Sequence, residues 1–247
     1  MPGLRREEVA LLTGVSVEYY ARMERGDLAG VSRGVLDAVA RALQFSEAEH
    51  GHLLDLARAA GPGAPRRPLE SATRQVEPEL QRFLDAVTGA PMWIRDRRMD
   101  VVATNGLGRA LYAPVLNDPD SHGNTARFTF LNPGAPDFFP DWEDNADGIV
   151  ATLRTYAGQT PDDQELGGLI EELLNRSEPF RVRWPRHDVR HHHEGSKRIR
   201  HPELGDLEFS YQAMQLPAHP DWLMFAFTAD PGSVTERTLA RLDTEQR

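Results

Sequence analysis

Apolar and polar positions repeat at helical spacing through the first 60 residues and then change character. In Arg6–Leu12 the apolar residues Val9, Leu11 and Leu12 are available for burial, and Ala10 is small enough to let a second helix approach closely. Gly14 admits the positive φ of a tight turn. Val15 is placed to plug a core, and Ser16 to cap a helix over Val17–Arg25 whose Tyr20 and Met23 share a buried face. Gly26 ends that helix. Ser32 caps a predicted helix over Arg33–Leu43, with Val35, Leu36, Val39, Ala40 and Leu43 on one side. Ser46-Glu47-Ala48-Glu49 has the form of a capping box and opens a fourth helix over Ala48–Ala60, with Leu53, Leu54 and Leu56 inward.

Gly61-Pro62-Gly63-Ala64-Pro65-Arg66-Arg67-Pro68 breaks this pattern, and residues 61–77 read as a linker between a domain over 1–60 and a second over 78–232. Glu79–Val87 is predicted to be an amphipathic helix with Leu80, Phe83, Leu84 and Val87 inward. Ala90–Asp96 reads as a strand, Asp96-Arg97-Arg98 as a tight turn, and Met99–Thr104 as the partner strand. Asn105 caps a helix reaching Tyr112. Helices are predicted over Trp142–Tyr156 and Gln164–Ser177, and strands over Asp188–Arg200, Leu204–Leu216 and Trp222–Ala229. Residues 233–247 read as a C-terminal helix or tail.

Composition narrows the function. At 247 residues, 40% of them hydrophobic, the chain has room for one or two domains with real cores. The absence of cysteine excludes disulfides, thiolate metal sites and cysteine nucleophiles. No apolar run approaches the ~18 residues of a membrane span, and the N-terminus lacks the apolar region of a secretory signal. A cytoplasmic chain with no membrane partner is expected. The net charge is −10. The first 60 residues hold seven Arg against nine acids, so a strongly basic nucleic-acid footprint is absent. No nucleophile elbow, phosphate-cradling loop or dinucleotide fingerprint occurs, and the acids Asp137, Asp141, Glu143 and Asp144 read as a helix N-terminus, so no enzyme is expected. His187, His191, His192, His193 and His201 lack a fixed metal-ligand spacing and read as a solvated hairpin, with no metal site.

The order of small residue, turn glycine and spaced apolar plugs between Arg6 and Gly26 is a helix-turn-helix pattern, which sets a second helix into the major groove of DNA. Gly3-Leu4-Arg5-Arg6-Glu7-Glu8-Val9-Ala10-Leu11-Leu12, Gly14–Tyr20 and Met23-Glu24-Arg25-Gly26 resemble the lambda-repressor-like, xenobiotic-response-element type of bacterial regulator, and within it the MmyB-like subfamily. The likeness extends to Val101–Asn105, Arg127–Leu131, Pro140-Asp141-Trp142, Trp184, His187–Arg190, Lys197, His201-Pro202 and Gly205-Asp206-Leu207.

The resemblance implies an all-α helix-turn-helix bundle followed by an α+β, PAS-like ligand-binding domain. It implies that Ser16, Val17, Glu18 and Arg22 face base edges and that Arg25 and Arg5 or Arg6 sit near phosphates. Arg22 can bond guanine with its two-pronged guanidinium. Glu18 can accept from cytosine, or be simply a solvated helix residue. The family carries a further helix ahead of Pro2-Gly3-Leu4-Arg5-Arg6, and this sequence begins too late to contain it. An upstream start is therefore expected. Without that helix, Glu24 is expected to lack its arginine partner, and Val9, Leu12 and Met23 to lose cover.

For the second domain, the resemblance implies an interior that holds an aliphatic, fatty-acyl-like molecule and no other cofactor. Trp93, Val101, Leu107, Leu111, Phe130, Trp142 and Phe227 can line such a pocket, or be solid core. Arg109, Arg127, Arg190 and His187 are candidate anchors for an anionic head. The expectation is a ligand-responsive regulator binding operator DNA as a homodimer. The alternative is a PAS-like sensor or interaction module that has lost DNA binding with its first helix.

Overall fold

The computed structural model describes residues 4–28, 30–60, 76–186 and 194–245. The predicted linker therefore lies almost wholly outside the described residues, as do His187, Asp188, Arg190 and His191 to His193. The chain divides into two compact units, an N-terminal helical one and a larger one that carries a sheet.

The first unit contains α1 (Arg6–Thr13), α2 (Val17–Glu24), α3 (Arg33–Ala42) and α4 (Glu47–Ala60). Gly14 closes α1 at φ 69°, the left-handed conformation that favours glycine. Ser16 caps α2, accepting from the Tyr19 amide at 3.1 Å. Ser46 and Glu49 form the predicted capping box, with the Ser46 amide donating to Glu49 at 2.7 Å and the Glu49 amide to Ser46 at 3.3 Å. The core joins Val9, Ala10, Tyr20, Met23, Leu28, Leu36 and Val39.

Two expectations for this unit are corrected. Leu11 and Leu12 are 84% and 61% exposed. The buried stripe of α1 runs through Val9, Ala10 and Thr13, positions that share one side of a 3.6-residue helix, and the leucines fall outside it. Val9 and Met23 do not lose cover, because Leu36 and Val39 of α3 belong to the same cluster.

The second unit opens with α5 (Pro78–Ala86), β1 (Met92–Asp96), β2 (Val101–Thr104), α6 (Gly106–Leu111) and α7 (Ala113–Leu116). It continues through α8 (Thr125–Leu131), α9 (Ala135–Phe138), α10 (Trp142–Gln159, as far as Leu153), α11 (Gln164–Arg176) and α12 (Glu178–Arg183). It ends with β3 (Glu194–His201), β4 (Gly205–Leu216), β5 (His219–Thr228) and α13 (Val234–Glu245). The strands make one antiparallel sheet in the order β2-β1-β5-β4-β3. Helices before, within and after this sheet give the expected α+β, PAS-like domain.

Alternation along the strands separates two faces. Trp93, Ile199, Leu207, Phe209, Phe225 and Phe227 point to an inner face covered by Leu111, Tyr112, Val115, Phe128, Phe138, Phe139 and Leu239. Met92, Ile94, Ala103, Trp222 and Met224 point to the outer face and meet Leu84 of α5. Phe83, expected inward, is 51% exposed, one position off the stripe that Leu84 defines. α13 belongs to the inner core through Leu239, and Thr235 accepts from the Glu208 amide of β4 at 3.0 Å.

Asn105 ties the sheet to α6. Its Oδ1 accepts from the Gly108 amide at 2.7 Å and the Met92 amide at 2.9 Å. Its Nδ2 donates to the carbonyls of Val87 and Ala90 at 2.7 and 2.8 Å. All four capacities of this buried amide are used. Gly108 is required beside it, since a Cβ there would stand 2.2 Å from the Met92 carbonyl oxygen.

Candidate functional site

In the helical unit, the cap at Ser16 and the burial of Tyr20 and Met23 turn the other side of α2 to solvent. Glu18 and Arg22, one turn apart, and then Arg25 form an exposed row. Ser16 is exposed at the head of the helix, and Val17 is half-buried against the core. Arg22 is engaged by Asp27, through Nε at 3.0 Å and Nη2 at 2.9 Å on the same carboxylate oxygen. Arg5 is exposed at the start of α1, where its amide donates to Glu8 at 2.6 Å.

Glu24 is not left without an arginine. Arg6 Nε meets it at 2.6 Å, so the expectation of an orphaned Glu24 is corrected. The same contact ties Arg6, one of the candidate phosphate contacts, to α2.

In the second unit, Trp93, Leu111 and Phe227 come together on the inner face, with Val101 packed at the edge. Trp93 stacks on Phe225 at 5.5 Å between centroids and meets Phe227 edge-on at 4.2 Å. Leu107 is buried on α6. Phe130 lies between Trp142 and Phe180, at 6.0 and 5.0 Å. Trp142 donates from Nε1 to the Thr129 carbonyl at 2.9 Å and carries the Arg183 guanidinium over its ring at 4.9 Å.

Of the candidate anion anchors, Arg127 is paired with Glu172 at 2.8 Å. Arg109 is exposed on α6. Arg190 and His187 lie outside the described residues. A separate cleft of about 430 Å³ is lined by Pro114, Asp118, Phe128, Phe138, Arg200 and Pro202 among others, and among the described residues none of the pocket or anchor positions expected from the sequence borders it.

Residues 2–53 match a helix-turn-helix domain. Residues 76–242 match the MmyB-like transcription regulator ligand binding domain. The chain belongs to the MmyB-like transcription regulators. No curated protein matches it. A helix-turn-helix joined to this ligand-binding domain makes the MmyB-like protein a ligand-responsive, DNA-binding transcription regulator. Both matched domains are regulator domains, and no helix among the described residues is long and apolar enough to cross a membrane.

Two polar residues on the inner face of the regulator escaped the sequence reading as chemistry. Arg95 of β1 lies over the Phe225 ring at 4.9 Å. Lys197 of β3 lies over the Phe139 ring at 4.5 Å and donates to Asn145 Oδ1. Burial first, and then the Arg95 charge, pull the Lys197 amine down to about 7 against the opposing pull of Asp141 and Asp144. Burial pushes the Tyr112 and Tyr211 hydroxyls above the usual phenol range, and the Arg95 charge pulls both back. Period-two alternation was the available signal: Lys197, Ile199 and His201 share the inward parity of β3.

His201 has a structural task in the regulator. Its Nδ1 accepts from the Glu203 and Leu204 amides at 3.1 and 3.2 Å, which closes the β3–β4 turn. Burial holds its pKa below the usual histidine value. Among the described residues no group of three or more His, Asp or Glu side chains could hold a metal ion.

Proposed function

We propose that this regulator reads a two-fold operator as a homodimer through α2, in the cytoplasm, and that a small fatty-acyl-like effector in the PAS-like domain sets its affinity. The exposed row Glu18, Arg22 and Arg25, on a helix anchored by Tyr20 and Met23, carries the DNA half of this reading. Arg22 reads a guanine edge, and Arg25 with Arg5 contacts phosphates. Ser16 and Val17 at the head of α2 approach the bases first. Two copies related by a two-fold axis would match a pseudo-palindromic site.

The effector half rests on the aromatic inner face, where Trp93, Phe225 and Phe227 form an apolar core for an alkyl chain to enter. The effector acts only through its differential binding to two arrangements of the regulator, typically about 1–3 kcal/mol of coupling, or a ~5- to 150-fold change in operator affinity. Fluorescence anisotropy of the full chain on the DNA beside its own gene, at fixed salt and against scrambled competitor, tests this reading. Specific binding that dodecanoic acid changes several-fold supports it. Equal affinity for operator and scrambled DNA overturns the DNA half, and indifference to the acid overturns the effector half.

A further inference from the structure

We propose that the cleft lined by α7, α9 and the β3–β4 turn is a second ligand site of this regulator, one that takes an organic cation: a protonated amine on a flat apolar body. The site does not depend on the effector reading above. Its volume of about 430 Å³ falls in the ~300–1,000 Å³ range of small-molecule sites. Phe128 and Phe138, whose rings meet edge to face at 5.6 Å between centroids, give it aromatic lining, and Pro114 and Pro202 add apolar walls.

Hydrogen bonds within the domain build these walls before any ligand arrives. Asp118 ties the segment after α7 to the segment after α8, its Oδ1 accepting from Asn132 Nδ2 at 3.0 Å and its Oδ2 from the Ser121 amide at 2.8 Å. Asn132 Oδ1 accepts in turn from the Gly134 amide at 2.7 Å, at the head of α9. His201 Nδ1, accepting from the Glu203 and Leu204 amides, pins the turn that presents Arg200 and Pro202. A cleft held open in this way binds without first ordering its own loops.

The charge on this lining is one-sided. Arg200 is answered by Asp206, with Nε 2.9 Å from Oδ1. Asp118 accepts only from neutral amides, and Asp137, exposed on α9, makes no ion pair among the described residues. Two carboxylates therefore border an aromatic cleft with no cation of the protein to offset them. An ammonium offsets their charge, donates charge-assisted hydrogen bonds to carboxylate oxygens and is attracted to the faces of aromatic rings. An anion is repelled by both acids, and a neutral molecule leaves them unanswered. A flat ring system suits the two phenylalanines and the two prolines.

Tryptamine, tryptophol and indole-3-acetate share one flat body and carry a positive, a neutral and a negative head. Isothermal titration calorimetry of the full chain, at low and fixed salt, compares them directly. Tryptamine is expected to bind about tenfold more tightly than tryptophol, and indole-3-acetate more weakly than either. Asp137→Asn is expected to weaken tryptamine about fivefold and to leave tryptophol within about twofold. Arg200→Gln removes an opposing charge from the lining and is expected to tighten tryptamine about twofold, an effect that fades as salt is raised.

If tryptophol binds as tightly as tryptamine, if indole-3-acetate binds more tightly, or if none of the three binds, the cation site is overturned. Tryptamine binding that Asp137→Asn leaves unchanged overturns it as well, since the amine then sits elsewhere on an acidic protein. The comparison of the three heads uses the unmodified chain, so it tests the site even where a variant fails to fold.

Discussion

Arg22 and Asp27 are joined twice, with Nε and Nη2 of the guanidinium at 3.0 and 2.9 Å from one carboxylate oxygen. The pair lies on the solvent side of the helix-turn-helix, where the guanidinium cannot give the same two donors to Asp27 and to a guanine at once. DNA must win the fork from Asp27, or share it. Arg22→Ala is expected to relax preference at one base position and to weaken operator binding by about 1–3 kcal/mol. Asp27→Ala frees the fork, and because the pair is exposed, it should change stability by less than about 1 kcal/mol. Binding-site selection with both variants checks this. An unchanged selected sequence for Arg22→Ala removes Arg22 as a base reader.

Asn105→Ala is expected to be among the most damaging single changes in the second unit. It strips four partners at once, the amides of Met92 and Gly108 and the carbonyls of Val87 and Ala90. Leaving buried backbone groups unpaired costs about 1–3 kcal/mol each where water cannot replace the amide. Thermal unfolding of the full chain should show the ligand-binding domain melting far earlier. A loss comparable with that of an exposed polar residue would contradict the hub.

Gly108→Ala tests the same junction by volume. The added Cβ meets backbone oxygen of Met92, which cannot swing aside as a side chain can. α6 must withdraw from β1, at a cost of about 1–3 kcal/mol. Denaturant unfolding with an unchanged midpoint would show that α6 does not approach β1 this closely.

Trp93→Ala separates core from pocket. The ring contacts of Trp93 with Tyr112, Phe225 and Phe227 predict a stability loss of about 3–5 kcal/mol. The same substitution should weaken dodecanoic acid if the proposed effector lies against this ring. Lost stability with unchanged affinity for the acid would make Trp93 plain core.

Asp96 gives the second unit a pH dependence of definite sign. Burial, reinforced by the Asp100 charge, lifts its pKa from 3.8 to about 6, in spite of amide donors from Arg98 and Asp100 at 2.9 Å each. The folded state thus holds this proton more tightly than the unfolded chain. The stabilisation is complete below the unfolded value and is lost as pH rises through about 6. Asp96→Asn keeps an acceptor and removes the charge. It should raise the melting temperature above about pH 7, by the equivalent of roughly 3 kcal/mol, and lose its advantage below about pH 4. Parallel pH series of the two proteins read the difference directly.

The helices of the first unit were legible because each ends on a local signal. Gly14, Ser16, Ser32 and the Ser46–Glu49 box act within four residues of themselves, and the structure uses every one of them. The hairpin β1–β2 and the cap at Asn105 were legible for the same reason. Leu11, Leu12 and Phe83 misled because apolar character marks a candidate for burial, while the side on which a helix docks depends on partners far along the chain. Glu24 misled in the same way, since its arginine stands 18 positions earlier, on α1.

Local chemistry along the chain was enough to place many of the elements and to name the family whose motifs they carry. The tertiary structure decided which charges meet. Arg127 pairs with Glu172, Arg22 with Asp27, and Arg6 with Glu24, while Lys197 lies over the Phe139 ring and Arg95 over the Phe225 ring. A cap or a turn is a short-range matter of backbone conformation and can be read from a few adjacent letters. A cation's partner depends on strand order and on which face of a strand it occupies. The order β2-β1-β5-β4-β3 exists only once segments a hundred residues apart have paired.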